Sequence, residues 1–183
     1  MKGLNMRVVV LTCLITLAAA LSSYYYVYQY KVTDPLLARI TQLTGVKDVT
    51  FTTVGNKRRI VLSLSASADL PDVHYVVNQC GAEAFGKRFG GVVIRDDRSA
   101  ELAETYYQMH FHIQQGIATG QFTQMAVGLA QIAKQEQLDD YRVYVDTEYV
   151  YLQLSKDGST LFELIPRSPE TLQATSVAGG YAS

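Results

Sequence analysis

Hydrophobic and polar positions follow three different patterns along this chain. From Val8 to Tyr30 there is no polar period, and VVVLTCLITLAAALSSYYYVYQY carries no charge. As a helix rising about 1.5 Å per residue, the stretch covers roughly 34 Å, enough to cross a bilayer core of about 30 Å. Lys2 and Arg7 precede it, which places the N-terminus in the cytoplasm by the positive-inside rule. Tyr24, Tyr25, Tyr26, Tyr28 and Tyr30 stand at its other end, where an interfacial aromatic belt belongs. The same stretch also meets the outline of a cleaved signal peptide, with Ala18-Ala19-Ala20 as the small-residue site. Cleavage there would leave YYYVYQY at the new N-terminus, so a retained single-pass signal-anchor is the favoured reading.

Helical and strand periods alternate beyond residue 30. Residues 33–45 predict a short helix with Leu36, Leu37, Ile40 and Leu43 as its apolar stripe, Thr33 or Asp34 as cap, Pro35 in its first turn and Gly45 past its end. Two alternating strands follow, KDVTFTTV and RRIVLSLSAS, joined by Gly55-Asn56 with positive φ angles. A helix over 69–86 is capped by Asp69 and carries Leu70, Val73, Val76, Val77, Cys80 and Ala84 at three- and four-residue spacing. GVVIRDD then reads as a central strand.

Residues 98–117 and 121–138 predict two amphipathic helices joined through Ala118-Thr119-Gly120, hence an antiparallel hairpin. Three strands close the pattern, DYRVYVD, EYVYLQLS and TLFELIP, with Asp157-Gly158 as the second tight turn. The fold class is therefore α+β. One transmembrane helix precedes an α-β-β-α-β module and an α-α-β-β-β module. The expected organisation is a cytoplasmic N-terminus (1–7), an anchor (8–30), a first subdomain (31–96), a second (97–166), and a disordered Ser/Thr/Ala/Gly tail (167–183).

Charge narrows the partners. Of 16 lysines and arginines only Lys2 and Arg7 precede residue 30, whereas all 17 acids follow it, so the outer part is mildly acidic. That gives no electrostatic case for nucleic acid. Lys57-Arg58-Arg59 reads as a solvated hairpin end. Cys13 lies in the anchor as a small apolar residue, its surroundings making a poor lipobox. Cys80 is thus the one cysteine outside, and it reads as a buried small hydrophobe with no disulfide partner.

Candidate chemistry is sparse. His110 and His112 are two apart on one helix, about 200° around its axis, and cannot share a metal. His74 is the third histidine. No G-x-S-x-G elbow occurs, and Ser63 and Ser65 read as the polar face of a strand. Asp96-Asp97 and Asp139-Asp140 read as caps rather than paired catalytic acids, with Asp97 just before the helix from Arg98. Gly90-Gly91 precedes a strand, not a helix, so it is no phosphate loop. Catalytic residues, metal and cofactor are all expected to be absent. Tyrosine is the one enrichment, 13 with no tryptophan. Alternation turns Val143, Val145, Val150, Leu152 and Leu154 inward. It turns Tyr144, Tyr149, Tyr151 and Gln153 outward, which predicts an exposed aromatic patch at Tyr144, Tyr149 and Tyr151.

The α-β-β-α-β order of residues 33–95, with Gly45-Val46-Lys47-Asp48-Val49 at its first turn, hung from one transmembrane helix, resembles the ring-building modules of bacterial secretion and sporulation channels. That resemblance implies side-by-side assembly outside the inner membrane, and Leu36, Ile40 and Val73 are the expected assembly face. The expected function is a non-enzymatic, self-assembling interaction or scaffold domain of the bacterial cell envelope. It would act on the extracytoplasmic side through a protein partner or further copies of itself. The alternative is an extracytoplasmic module binding a wall glycan or peptide through the tyrosine face.

Overall fold

The structure is a computed structural model that describes residues 6–28 and 34–168. Mixed helix and sheet is what it shows, with an apolar helix at the N-terminal end. The chain divides into two compact units, Met1–Arg39 and Ile40–Ser183. The expected tail beyond Ser168, the Thr33 cap, the side chains of Asp34 and Pro35, and the outermost residues of the expected anchor lie outside the described residues.

In the first unit, helix α1 runs Met6–Tyr28. It is long and apolar enough to span a membrane over Val9–Tyr26, and none of that window is buried. Its two threonines bond to the helix's own backbone. Thr16 donates to the carbonyls of Thr12 (2.9 Å) and Cys13 (3.0 Å), and Thr12 donates to that of Val9 (3.2 Å). Helix α2, Asp34–Thr41, stops earlier than its apolar stripe predicts. Tight turns follow it, with Leu43 N–H donating to Ile40 and Val46 N–H donating to Leu43. Gly45, at φ +86°, then turns the chain into a strand.

The second unit contains two three-stranded sheets, and the boundary expected at 96/97 falls inside it. Strands β1 (Val46–Val54) and β2 (Lys57–Leu64) are antiparallel, and β3 (Phe89–Arg95) joins β2 in parallel, in the order β1-β2-β3. The β1–β2 turn has positive φ at Gly55 but not at Asn56, so glycine alone supplies the unusual backbone. Helix α3 (Leu70–Phe85) makes the crossover between the parallel strands. Asp69 accepts from the Asp72 N–H at 3.2 Å to start it, and the Phe85 ring meets Phe51 of β1 edge-on at 5.8 Å. Register puts Phe51, Ile60 and Val92 on one face, and that is the face α3 covers.

The second sheet is the meander β4 (Asp140–Val145), β5 (Tyr149–Lys156) and β6 (Ser159–Pro166). Asp157 and Gly158 both take positive φ, as the tight β5–β6 hairpin requires. Helices α4 (Ala100–Thr119) and α5 (Phe122–Gln135) form the expected hairpin against one face of this sheet. Leu102, Met109, Ile113 and Leu129 pack there on Val150, Leu152, Leu154 and Leu161. All of these are fully buried, each contributing about 1.5–3 kcal/mol by removal from water.

Sequence periodicity underrates the contacts of α3. Besides β2 and β3, this helix touches β5, so it stands between the two sheets. Its buried set therefore widens to include His74, Gly81 and Phe85, while Val76 and Ala84 are only half-buried. β5 is consequently buried on both faces. Leu36, Ile40 and Val73 are all buried within the single chain, so the assembly face expected from them is not on the surface.

Candidate functional site

The face of β5 turned away from α4 and α5 carries Tyr149, Tyr151 and Gln153, as alternation predicts. It is not open to solvent: Tyr149 and Tyr151 are 3% and 4% exposed. His74 of α3 sits edge-on to both rings, at 5.1 and 5.7 Å between centroids, and Gln153 donates to the Ala66 carbonyl just before α3. Only Tyr144, on edge strand β4, keeps its expected exposure, at 56%. The predicted flat patch is instead the wall of a cleft of about 570 Å³ between α3 and the β4–β5 loop. Tyr75 of α3, 68% exposed, forms the opposite rim.

A chain of hydrogen bonds lies beneath this cleft. Asp146 organises the β4–β5 loop, its Oδ1 accepting from the Glu148 N–H (2.7 Å) and the Tyr149 N–H (2.6 Å). Its other oxygen accepts from the Tyr151 hydroxyl at 2.8 Å. That hydroxyl lies 3.2 Å from His74 Nδ1, and Asn78 Nδ2 lies 2.6 Å from His74 Nε2. Since an amide nitrogen only donates, Nε2 accepts and Nδ1 carries the hydrogen that Tyr151 receives. All four residues are thereby satisfied in one direction, from Asn78 to Asp146.

Electrostatics fixes the protonation states. Burial lowers the His74 pKa to about 4, although the charge of Asp146 pulls it upward, so the imidazole is neutral at physiological pH. Burial and the hydrogen bond to Asp146 push the Tyr151 phenol far above its ordinary value. With both ring nitrogens engaged, His74 has no free lone pair for a metal or a substrate proton. Its role here is to position rings. Among the described residues, no group of three or more His, Cys, Asp or Glu side chains converges to hold a metal.

Other sequence candidates resolve into structural contacts. His110 lies 3.4 Å from the Tyr106 hydroxyl, while His112 packs over Gly128 of α5. Cys80 is buried. Asp97 does not cap α4; Ser99 does, its Oγ accepting from the Leu102 N–H at 3.2 Å. Asp97 reaches to β6, accepting from the N–H (2.9 Å) and hydroxyl (2.6 Å) of Thr160, chiefly the latter lowering its pKa. Asp96 receives Arg98 and the Phe162 N–H, and Arg98 Nη1 also binds Glu163 at 2.8 Å. Asp139 accepts from the Asp157 N–H at 2.8 Å, and Asp140 pairs with Arg142 at 3.0 Å. The Lys57-Arg58-Arg59 run is more than a solvated end, because the Arg58 guanidinium lies 4.9 Å from the Phe85 ring centre.

Sequence reading missed His74, Tyr75, Asn78 and Asp146. The available signal was the four-residue spacing of His74 and Asn78, which puts both on one helical face. Nothing local tells that this face meets β5. No protein-family model matches this chain, and no curated protein or solved structure matches it either.

Proposed function

We propose that this protein is a membrane-anchored interaction module of the cell envelope, its N-terminus cytoplasmic and its α+β unit extracytoplasmic. Its work is to hold a partner rather than to turn over a substrate. The observation that carries this reading is the cleft between Tyr75 and Tyr144. Two exposed aromatic rims flank a floor of buried tyrosines, and a satisfied hydrogen-bond chain locks that floor. Rigid aromatic surface at low entropic cost is what recognition sites use. Lys2 and Arg7, ahead of the apolar window Val9–Tyr26, support the orientation.

Hydroxyl-radical footprinting tests it. In purified full-length protein, Tyr75, Tyr144 and the exposed Tyr107 of α4 should all oxidise. In intact cells, Tyr75 and Tyr144 should be protected while Tyr107 is not. Equal oxidation of all three in cells would overturn the reading.

Self-assembly is the second reading, and β1 carries it. This nine-residue edge strand is largely exposed and has a free pairing edge, in the α-β-β-α-β layout that residues 34–95 form. Light scattering of the full chain in detergent across a concentration series decides: a defined oligomer supports it, a strict monomer removes it.

A further inference from the structure

We infer that the Tyr75–Tyr144 cleft binds a cationic amine, specifically the ammonium group of a lysine side chain presented by a peptide. This rests on the proposal that the cleft is a recognition site and adds the chemistry of what it recognises. Three features converge on it.

The first is aromatic. Tyr144 and Tyr151 have ring centroids 6.1 Å apart at 52°, and Tyr149 and Tyr151 are 5.8 Å apart at 56°. These rings line the cleft together with Tyr75 of α3. The exposed rings of Tyr75 and Tyr144 are the ones that can attract a cation sharing its contact with an aliphatic stem.

Charge is the second feature. The carboxylates of Asp72, Asp146 and Glu148 line the cleft, and no described lysine or arginine does. Two neighbouring arginines are engaged by other groups. Arg142 pairs with Asp140, and Arg167 binds the Asp146 carbonyl while lying 4.6 Å from the Phe122 ring centre, against the α4–α5 side of the sheet. Asp72, in the first turn of α3, offsets the positive end of that helix.

Third, the cleft offers acceptors to a ligand rich in donors. Asn78 commits one amide N–H to His74 and keeps its carbonyl oxygen as an acceptor, and neutral His74 offers no donor of its own to the cleft. An ammonium brings three donors to this surface, whereas a carboxylate or phosphate would face the like charge of Asp72, Asp146 and Glu148. A volume of about 570 Å³ admits a lysine side chain together with the backbone that presents it.

The test uses the full chain in nanodiscs of zwitterionic lipid, titrated calorimetrically with acetyl-trilysine-amide, and with acetyl-trinorleucine-amide and acetyl-triglutamate-amide as controls. Binding of the lysine peptide alone is expected. Tyr144→Ala should weaken it about tenfold and Glu148→Gln a few-fold, and added salt should weaken it further. Both side chains are at the surface, and thermal unfolding checks that the variants stay folded. Equal binding of the norleucine peptide, or lysine binding indifferent to both substitutions, would overturn the inference. If millimolar lysine peptide fails to bind while Tyr75 and Tyr144 remain protected in cells, the occupant is not cationic and the recognition reading still stands. Loss of that protection as well removes both.

Discussion

His74 and Tyr151 lie 77 positions apart and meet through a hydrogen bond of 3.2 Å, from the imidazole Nδ1 to the phenolic oxygen. This pair ties α3 of the first module to the central strand of the second. Tyr151→Phe would keep the ring packing but leave His74 Nδ1 and one oxygen of Asp146 without their partner. A buried polar group stripped of its partner costs about 1–3 kcal/mol. Urea unfolding should therefore show a lower midpoint at unchanged slope. A double-mutant cycle with His74→Gln should return a coupling energy above the scatter of about 0.5 kcal/mol seen for independent sites.

Acid should weaken the fold through the same histidine. Unfolded His74 titrates near 6.5, and folded His74 near 4. Between these values the unfolded chain binds a proton that the folded chain refuses, so stability rises with pH across this window. The contribution is complete above about pH 6.5, is lost as pH falls toward 4, and amounts to about 3 kcal/mol at most. Unfolding free energies measured from pH 7.5 down to 4.5 should fall more steeply for wild type than for His74→Gln. Parallel curves would show that His74 is not the group responsible.

What the sequence discloses and what it hides follow from the range of the interactions. Caps and turns at Asp69, Gly55 and Asp157-Gly158 are local, and they lie where local chemistry places them. Alternation assigned Tyr149 through Leu154 of β5 to the correct faces. It could not reveal that the second face is covered, because that depends on α3 arriving from a distant segment, and Tyr fits a half-buried surface as well as a buried one. Asp97 misled for a related reason. Its place before a helix reads as a cap, yet Ser99 takes that task and frees Asp97 to grip Thr160, 63 positions away. The cleft is the least legible part, since its rims come from α3 and β4.

Arg98 is the second long-range tie. It forks between Asp96 and Glu163, with both acids nearly buried. Burial works against its charge, but hydrogen bonds to the two carboxylates outweigh this and raise its pKa; burial in turn lifts that of Glu163. Arg98→Ala would strand two acids and should cost about 3–5 kcal/mol. Arg98→Lys keeps the charge but loses the fork, and should recover only part of that. Chemical denaturation of the three proteins gives the order directly.

Gly45 sits at φ +86°, and a Cβ built there would overlap the backbone of Ala68. The contact is fixed by two bonds to the Gly45 carbonyl, from the Ser65 N–H at 2.8 Å and the Ser65 hydroxyl at 3.2 Å. Backbone cannot step aside as a flexible side chain can. Gly45→Ala should therefore cost about 2 kcal/mol or more, combining an unfavourable φ with the clash. Gly120→Ala is the control, because its φ is +72° but a Cβ there meets no atom within 4 Å. A smaller drop in melting temperature is expected for it, and equal drops would refute the distinction.

Helix α1 is long and apolar enough over Val9–Tyr26 to cross a membrane. Every side chain from Val9 to Tyr26 is exposed, and apolar residues surround the helix, so it has no polar face to turn to water. A helix apolar all round belongs in a protein core or a bilayer, and no part of this one lies in a core. The hydroxyls of Thr12 and Thr16 are bonded to the helix's own carbonyls, which removes the usual penalty for taking them into lipid. Retention predicts that the protein resists alkaline carbonate extraction and that mass spectrometry finds the N-terminal peptide ahead of Val8. A mature N-terminus at Leu21 would instead mean cleavage after Ala20. Leu14→Arg and Leu17→Arg together should abolish membrane retention, since each arginine near mid-helix costs about 2.5–3.5 kcal/mol on insertion scales. If the double variant stays in the membrane fraction, α1 is not what holds the protein there.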